Sequence, residues 1–194
     1  MLKPWEVIKD LESDNSRLFK ESVIKREAEA GNDILFSGLR LAYDPMITFG
    51  VKQVPESMSN GPGLGWGTFS EVASHLANRI LTGDAARDRI NQLINSATQE
   101  QWNNWYRRIL IKDMRAGFSE KTINTVVKKI NQNYLIPLFE CQLAHDGANH
   151  EKKITGVKLL EPKLDGVRCL TVVDYENRTV TQYTRNGKVL ENFG

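Results

Sequence analysis

Between Glu161 and Arg168 the chain reads Glu-Pro-Lys-Leu-Asp-Gly-Val-Arg. In an extended segment the side chains alternate, so Glu161, Lys163 and Asp165 share one face, with Leu160, Pro162 and Leu164 on the other. A lysine there attacks a phosphate only as the neutral amine. Burial, nearby cations and a metal can each lower its pKa far enough. Gly166 permits a tight turn. Arg168, just past that turn, can offer a planar fork to phosphate oxygens. The same residues also read as a plain exposed hairpin, because Asp-Gly turns are common.

The stretch matches K-x-D-G-x-R, and so resembles the first signature of the covalent nucleotidyltransferases: DNA ligases, RNA ligases and mRNA capping enzymes. Thr184-Arg185-Asn186-Gly187-Lys188 resembles the later ligase motif S-R-x-G. Arg185 falls on its arginine, Thr184 replaces its serine but keeps a hydroxyl, and Phe193 stands where a later aromatic is found. Leu81-Thr82-Gly83-Asp84-Ala85-Ala86 and Arg108–Gly117 resemble the L-T-G-x-A-A turn and the R-D-L-x-x-G helix end of the T-even bacteriophage DNA ligases. Cys141-Gln142-Leu143-Ala144 resembles the lead-in to their adenylation domain. The likeness covers about residues 70–194 well and is weak over 1–60.

The resemblance implies an ATP-dependent DNA ligase that acts on nicked duplex DNA in repair, replication and recombination. Lys163 would take AMP from ATP, releasing pyrophosphate. The AMP would pass to a 5′-phosphate, and the 3′-hydroxyl would displace it to seal the nick. Magnesium would neutralise charge at each step. Glu161 would lie at the adenine end, and Arg168 and Arg185 near ribose and phosphates. The helical part would grip the duplex across its minor groove through backbone phosphates. Two other readings stay open: an RNA ligase or capping-type enzyme sharing the lysine motif, and a non-catalytic DNA-binding remnant. No D-G-E, E-G-[VI] or K-x-K element follows Arg185, so this stretch alone is expected to be inactive.

These residues need elements to hold them. Apolar spacing is helical up to about residue 133 and strand-like after about 153. The expected class is α+β: an all-α DNA-binding domain over 1–133, then the first antiparallel β portion of an adenylation (nucleotidyltransferase) domain over 134–194. A helix is expected over 5–28, with Val7, Ile8, Leu11 and Leu18 on one side, Val23 and Ile24 drifting from it, and Pro4 and Ser13–Ser16 weighing against continuity. A short apolar helix covers 33–43, closed by Asp44-Pro45. Residues 46–67 read as a loop whose Gly61–Gly67 stretch should be flexible and exposed. Thr68 and Glu71 form a capping box ahead of Val72, Leu76 and Ile80. Asp84 caps a helix carrying Ile90, Leu93 and Ile94, after a stop at Gly83. Thr98 and Gln101 form a second box ahead of Trp102, Trp105, Tyr106, Ile109 and Leu110, a stripe read as core and ended by Gly117. Ser119 caps a helix with Ile123, Val126, Val127 and Ile130 inward. Strands are expected at Lys158–Leu164, Val167–Tyr175 and Thr179–Thr184, with turns at Asp165-Gly166, Glu176-Asn177 and Asn186-Gly187.

Composition sets the outer bounds. Lys and Arg number 26 against 24 Asp and Glu, a net charge of +2 that announces no nucleic-acid binding by itself. Distribution says more. Arg107, Arg108, Lys112, Arg115, Lys121, Lys128 and Lys129 face only Asp113 and Glu120 in that stretch. Of these, Lys112, Arg115, Lys121, Lys128 and Lys129 are the candidate DNA contacts, expected to bind duplex weakly and salt-dependently. Cys141 and Cys169 have no metal-type spacing and read as reduced thiols. His75, His145 and His150 complete no ligand cluster with them, so no resident metal site is expected. There is no signal peptide, no run long enough to span a bilayer, and no repeat. The expectation is a monomer in the cytoplasm, or in a host's cytoplasm if phage-encoded.

Overall fold

The computed structural model describes every residue except 1, 52, 141–146, 160, 161, 163–165, 186 and 191–194. It divides into two compact units, 1–138 and 139–194. The first is all helical and the second holds a two-stranded antiparallel sheet, so the molecule is mostly helical within an α+β arrangement. No helix among the described residues is long and apolar enough to cross a membrane.

The helical unit opens with α1 (Pro4–Glu12) and α2 (Arg17–Glu29), where one helix over 5–28 was expected. The break lies at Ser13–Ser16, whose side chains supply local hydrogen bonds that compete with the helix. Ser16 N donates to Asp14 Oδ1 at 2.6 Å, and Ser13 Oγ donates to Asp10 O at 2.7 Å. Breaking the helix also changes its phase. Leu18 is exposed, whereas Lys20, Val23, Ile24, Glu27 and Ala28 make the buried stripe of α2. Helix α3 (Asp33–Tyr43) keeps its expected bounds, and Asn32 Oδ1 accepts from Leu35 N at its start.

The described residues of the 46–65 segment have no regular secondary structure, yet they are pinned at several points. Trp102 Nε1 donates to Pro55 O at 2.9 Å, Arg107 Nε to Val54 O at 2.8 Å, and Tyr106 OH to Leu64 O at 2.9 Å. Gly61 N and Gly63 N donate to Ala97 O and Ser96 O. Leu64 is buried, so the expected freedom of the glycine stretch gives way to a tied-down strap.

Helix α4 (Trp66–Ala77) starts before Thr68, and its cap residue is Gly65, so the first expected capping box does not form. Val72 and Leu76 are buried, but Ile80 lies beyond the helix and is exposed. Helix α5 (Gly83–Ser96) begins at the glycine expected to stop its predecessor; its cap residue is Thr82, and Asp84 sits in the first turn. The second capping box does form: Gln101 N donates to Thr98 Oγ1 at 3.2 Å, and Thr98 N to Gln101 Oε1 at 3.1 Å. The helix it starts runs as α6 (Gln99–Gln101), a π turn (Trp102–Tyr106) and α7 (Arg107–Leu110). It ends at Leu110, well before Gly117.

The wide turn carries Trp102, Trp105 and Tyr106 into the core beside Ile109 and Leu110, so all five bury as expected. The Trp105 ring lies so close to α3 that a Cβ on Gly38 would meet it at 2.2 Å. Its Nε1 is buried without an acceptor among the described residues. Helix α8 (Glu120–Val127) follows Ser119, whose hydroxyl does not cap it, and buries Ile123 and Val127. Tyr134 and Ile136 also belong to this core. Tyr134 stacks on Phe36 at 4.1 Å, and Asn124 exchanges two 2.9 Å bonds with the Ile136 backbone.

In the second unit, β1 (Cys169–Asp174) and β2 (Thr179–Thr184) pair antiparallel, Cys169 opposite Thr184 and Asp174 opposite Thr179. β1 is shorter at both ends than expected, and β2 keeps its bounds. The Asp174 carboxylate closes the turn by accepting from Glu176 N and Asn177 N at 3.0 Å. Those bonds hold it below its ordinary pKa. Val172, Val173 and Val180 remain exposed, as do Leu159 and Val167 ahead of the ribbon. The expected strand Lys158–Leu164 and the turns at Asp165-Gly166 and Asn186-Gly187 fall wholly or partly outside the described residues.

Candidate nucleotide and nucleic-acid sites

Lys163 and Glu161 lie outside the described residues, as do Cys141 and Phe193. Arg168 and Arg185 are both exposed. They stand immediately before β1 and immediately after β2, next to the terminal pair Cys169–Thr184. The ladder ends at that pair: Arg168 lies in the segment ahead of β1, and Arg185 begins the turn that follows β2. The two arginines, distant in sequence, thus each adjoin the terminal pair at the same end of the hairpin.

The segment after β2 is a built turn. Thr184 N donates to Lys188 O at 2.7 Å, and Gly187 N to Thr184 O at 3.0 Å. Lys188 N donates to the Thr184 hydroxyl at 3.1 Å. That hydroxyl is the feature Thr184 shares with serine. Gly187 has φ +81, and a Cβ there would meet the Phe139 ring at 2.8 Å, so no side chain fits. Among the described residues no group of three His, Cys, Asp or Glu side chains could hold a metal.

The second candidate site is in the helical unit. The 112–119 loop, with α2 and the end of α3, lines an open hollow of about 510 Å³. Lys112, Arg115, Lys20 and Arg17 supply its cations, and Asp113 is the one carboxylate among its lining residues. Arg115 is exposed, and its guanidinium is 3.8 Å from the Asp113 carboxylate. Lys121, Lys128 and Lys129 are exposed on or just past α8. Lys112 is different: its Nζ turns inward and donates to Asp44 O at 2.7 Å and Leu41 O at 3.1 Å, carbonyls at the end of α3. Burial lowers its pKa to about 8, with Asp44 offsetting part of the fall. Three residues of the loop, Lys112, Arg115 and Gly117, have positive φ of 56°, 54° and 65°. Lys20, Tyr43 and Arg17 also line the hollow or its floor and were not singled out from the sequence. The available signal was Lys20 itself, a charge in the buried phase of α2.

No family model and no curated protein matches the chain. Among solved structures, the whole chain is similar to one named Pmar-Lig_PreS3, with 51% identity and a TM-score of 0.83. It is also similar to one named Pmar-Lig_Pre., with 50% identity and a TM-score of 0.84. In each case it covers 44% of the other chain, so it spans less than half the length of the structures it matches.

Proposed function

We propose that this chain is the DNA-gripping and lysine-bearing portion of an ATP-dependent DNA ligase of bacteriophage type. The observation that carries the reading is the pairing of the K-x-D-G-x-R stretch with whole-chain similarity, at half identity, to two structures whose names carry Lig, read as ligase. The arginines support it. Adjoining the terminal Cys169–Thr184 pair, Arg168 and Arg185 are proposed to meet the phosphates of a nucleotide whose phosphorus Lys163 attacks. The Lys163 amine loses a proton, forms a bond to the α-phosphorus of ATP, and pyrophosphate departs. The AMP is then passed to a 5′-phosphate and displaced by the neighbouring 3′-hydroxyl. Magnesium is proposed only as the companion of the ATP phosphates, which it neutralises; the described residues offer it no carboxylate cluster. The hollow at 112–119, with Arg115, Lys121, Lys128 and Lys129, is proposed to hold backbone phosphates of a nicked duplex.

The test has two arms. Fluorescent nicked duplex should bind the chain, and binding should weaken steeply between low and moderate salt. With α-labelled ATP, magnesium and a polypeptide carrying the later motifs, label should survive denaturation on wild type and vanish in Lys163→Ala and Lys163→Arg. Arginine keeps the charge but supplies no neutral amine. Label on either mutant excludes Lys163 as the nucleophile. Duplex binding with no label in any combination would favour a DNA-binding remnant, and preference for nicked RNA would favour an RNA ligase.

A further inference from the structure

We propose that Lys20 is a positioning residue for nucleic-acid binding, a buried cation that turns the 114–118 backbone into an anion seat; this rests on the duplex-binding half of the function proposed above. Lys20 is 2% exposed. Its Nζ donates to Ala116 O, ninety-six residues away in sequence, and lies directly under Gly117, where a Cβ would stand 2.7 Å from it. Among the described residues no carboxylate comes within ion-pair distance of that ammonium. A buried, unpaired charge costs stability, and packing would be served better by an apolar side chain of the same length.

The loop explains what the charge does. Three donors reach it from beneath. Arg108 Nη1 donates to Met114 O at 2.8 Å, Lys20 to Ala116 O, and Tyr43 OH to Phe118 O at 2.9 Å. Alternate carbonyls of the loop are thus engaged from within the fold. The N–H groups of Gly117, Phe118 and Ser119 have no acceptor among the described residues, and all three residues line the basic hollow. Successive backbone N–H groups beside a left-handed residue make a concavity that suits an anionic oxygen. Drawing the carbonyls away removes the repulsion such an oxygen would meet. Lys20 sets its amine under the loop, and its two remaining N–H groups meet no acceptor among the described residues.

The experiment compares wild type, Lys20→Met and Lys20→Arg in the full 194-residue chain, measuring thermal unfolding and fluorescent nicked-duplex affinity in the same buffer. Methionine keeps the side chain's length without the charge but leaves the Ala116 carbonyl without its donor, so Lys20→Met should melt somewhat below wild type, while its affinity, measured well below that melting temperature, falls about tenfold or more. Lys20→Arg should recover part of that loss. Wild-type affinity in a folded Lys20→Met overturns the proposal. If Lys20→Met does not fold, Gly117→Ala decides, since its Cβ displaces the ammonium without removing it: weakened binding by a folded variant supports the role, and unchanged binding overturns it. A wild-type chain that binds no duplex overturns the nucleic-acid reading itself, and this proposal with it.

Discussion

At the residue scale, two lysines of the helical unit depart from the usual surface role, and both sit around one loop. Lys112 was expected to contact phosphate. Its amine instead caps the carbonyl end of α3, and burial lowers it to about 8 from the ordinary 10.5. A folded pKa below the unfolded one means the fold disfavours the charged form. That cost is present in full below about pH 8 and is relieved as pH climbs towards the unfolded value. Tyr43 and Tyr106 run the other way. Burial raises both phenols, so they withdraw stability only once pH passes the ordinary tyrosine value of about 10. The Lys112 effect should therefore show between about pH 8 and pH 10. Urea midpoints taken across that window should rise for wild type relative to Lys112→Met. A constant difference would mean the lysine titrates at its ordinary value. Lys20 was legible in principle, as a charge at i with Val23, Ile24 and Glu27 at i+3, i+4 and i+7. It was missed because the helix was phased on Leu18.

At the element scale, helix caps were read with mixed success: Thr98 with Gln101 forms its box, whereas Ser119 precedes α8 without capping it. The Thr98–Gln101 box needs only those two residues, and it forms. Thr68 and Glu71 have the same spacing, but Trp66 packs against Phe69 and Trp105, and α4 starts three residues early, capped at Gly65. Helical spacing buries the Trp102–Leu110 stripe correctly, yet periodicity of 3.6 cannot reveal a π turn in its middle. That turn sets a glycine requirement on a neighbour. Gly38→Ala would drive a methyl into the Trp105 ring and should destabilise by about 1–3 kcal/mol, despite alanine's better helix propensity. Gly67→Ala, in α4 with nothing within 4 Å, should instead stabilise by up to about 1 kcal/mol. Denaturant unfolding of the two variants would check the opposite signs. Equal effects would mean that α3 moves aside.

At the scale of the whole molecule, order is unevenly distributed. Among the described residues, every buried apolar side chain of the core lies at or before Ile136. The change from helical to strand-like spacing was readable, because a shift of apolar period needs no knowledge of partners. The residues that complete the helical core, Tyr134 and Ile136, were not, since a 3-10 turn and an extended pair carry no period. Hydrogen exchange on the intact chain should separate the units: amides of Leu76 and Ile109 protected near the global limit, those of Val172 and Thr181 exchanging orders of magnitude faster. Uniform protection would show that the ribbon shares the stability of the helices. The exposed valines of that ribbon also have a consequence for handling. Val172, Val173 and Val180 make β-rich, uncharged stretches on strands whose outer backbone is little covered among the described residues. Such a strand recruits its like. Concentrated stocks should therefore cloud and gain intermolecular β signal first through residues 167–184, and a lysine placed at Val172 would act as a gatekeeper that keeps them clear.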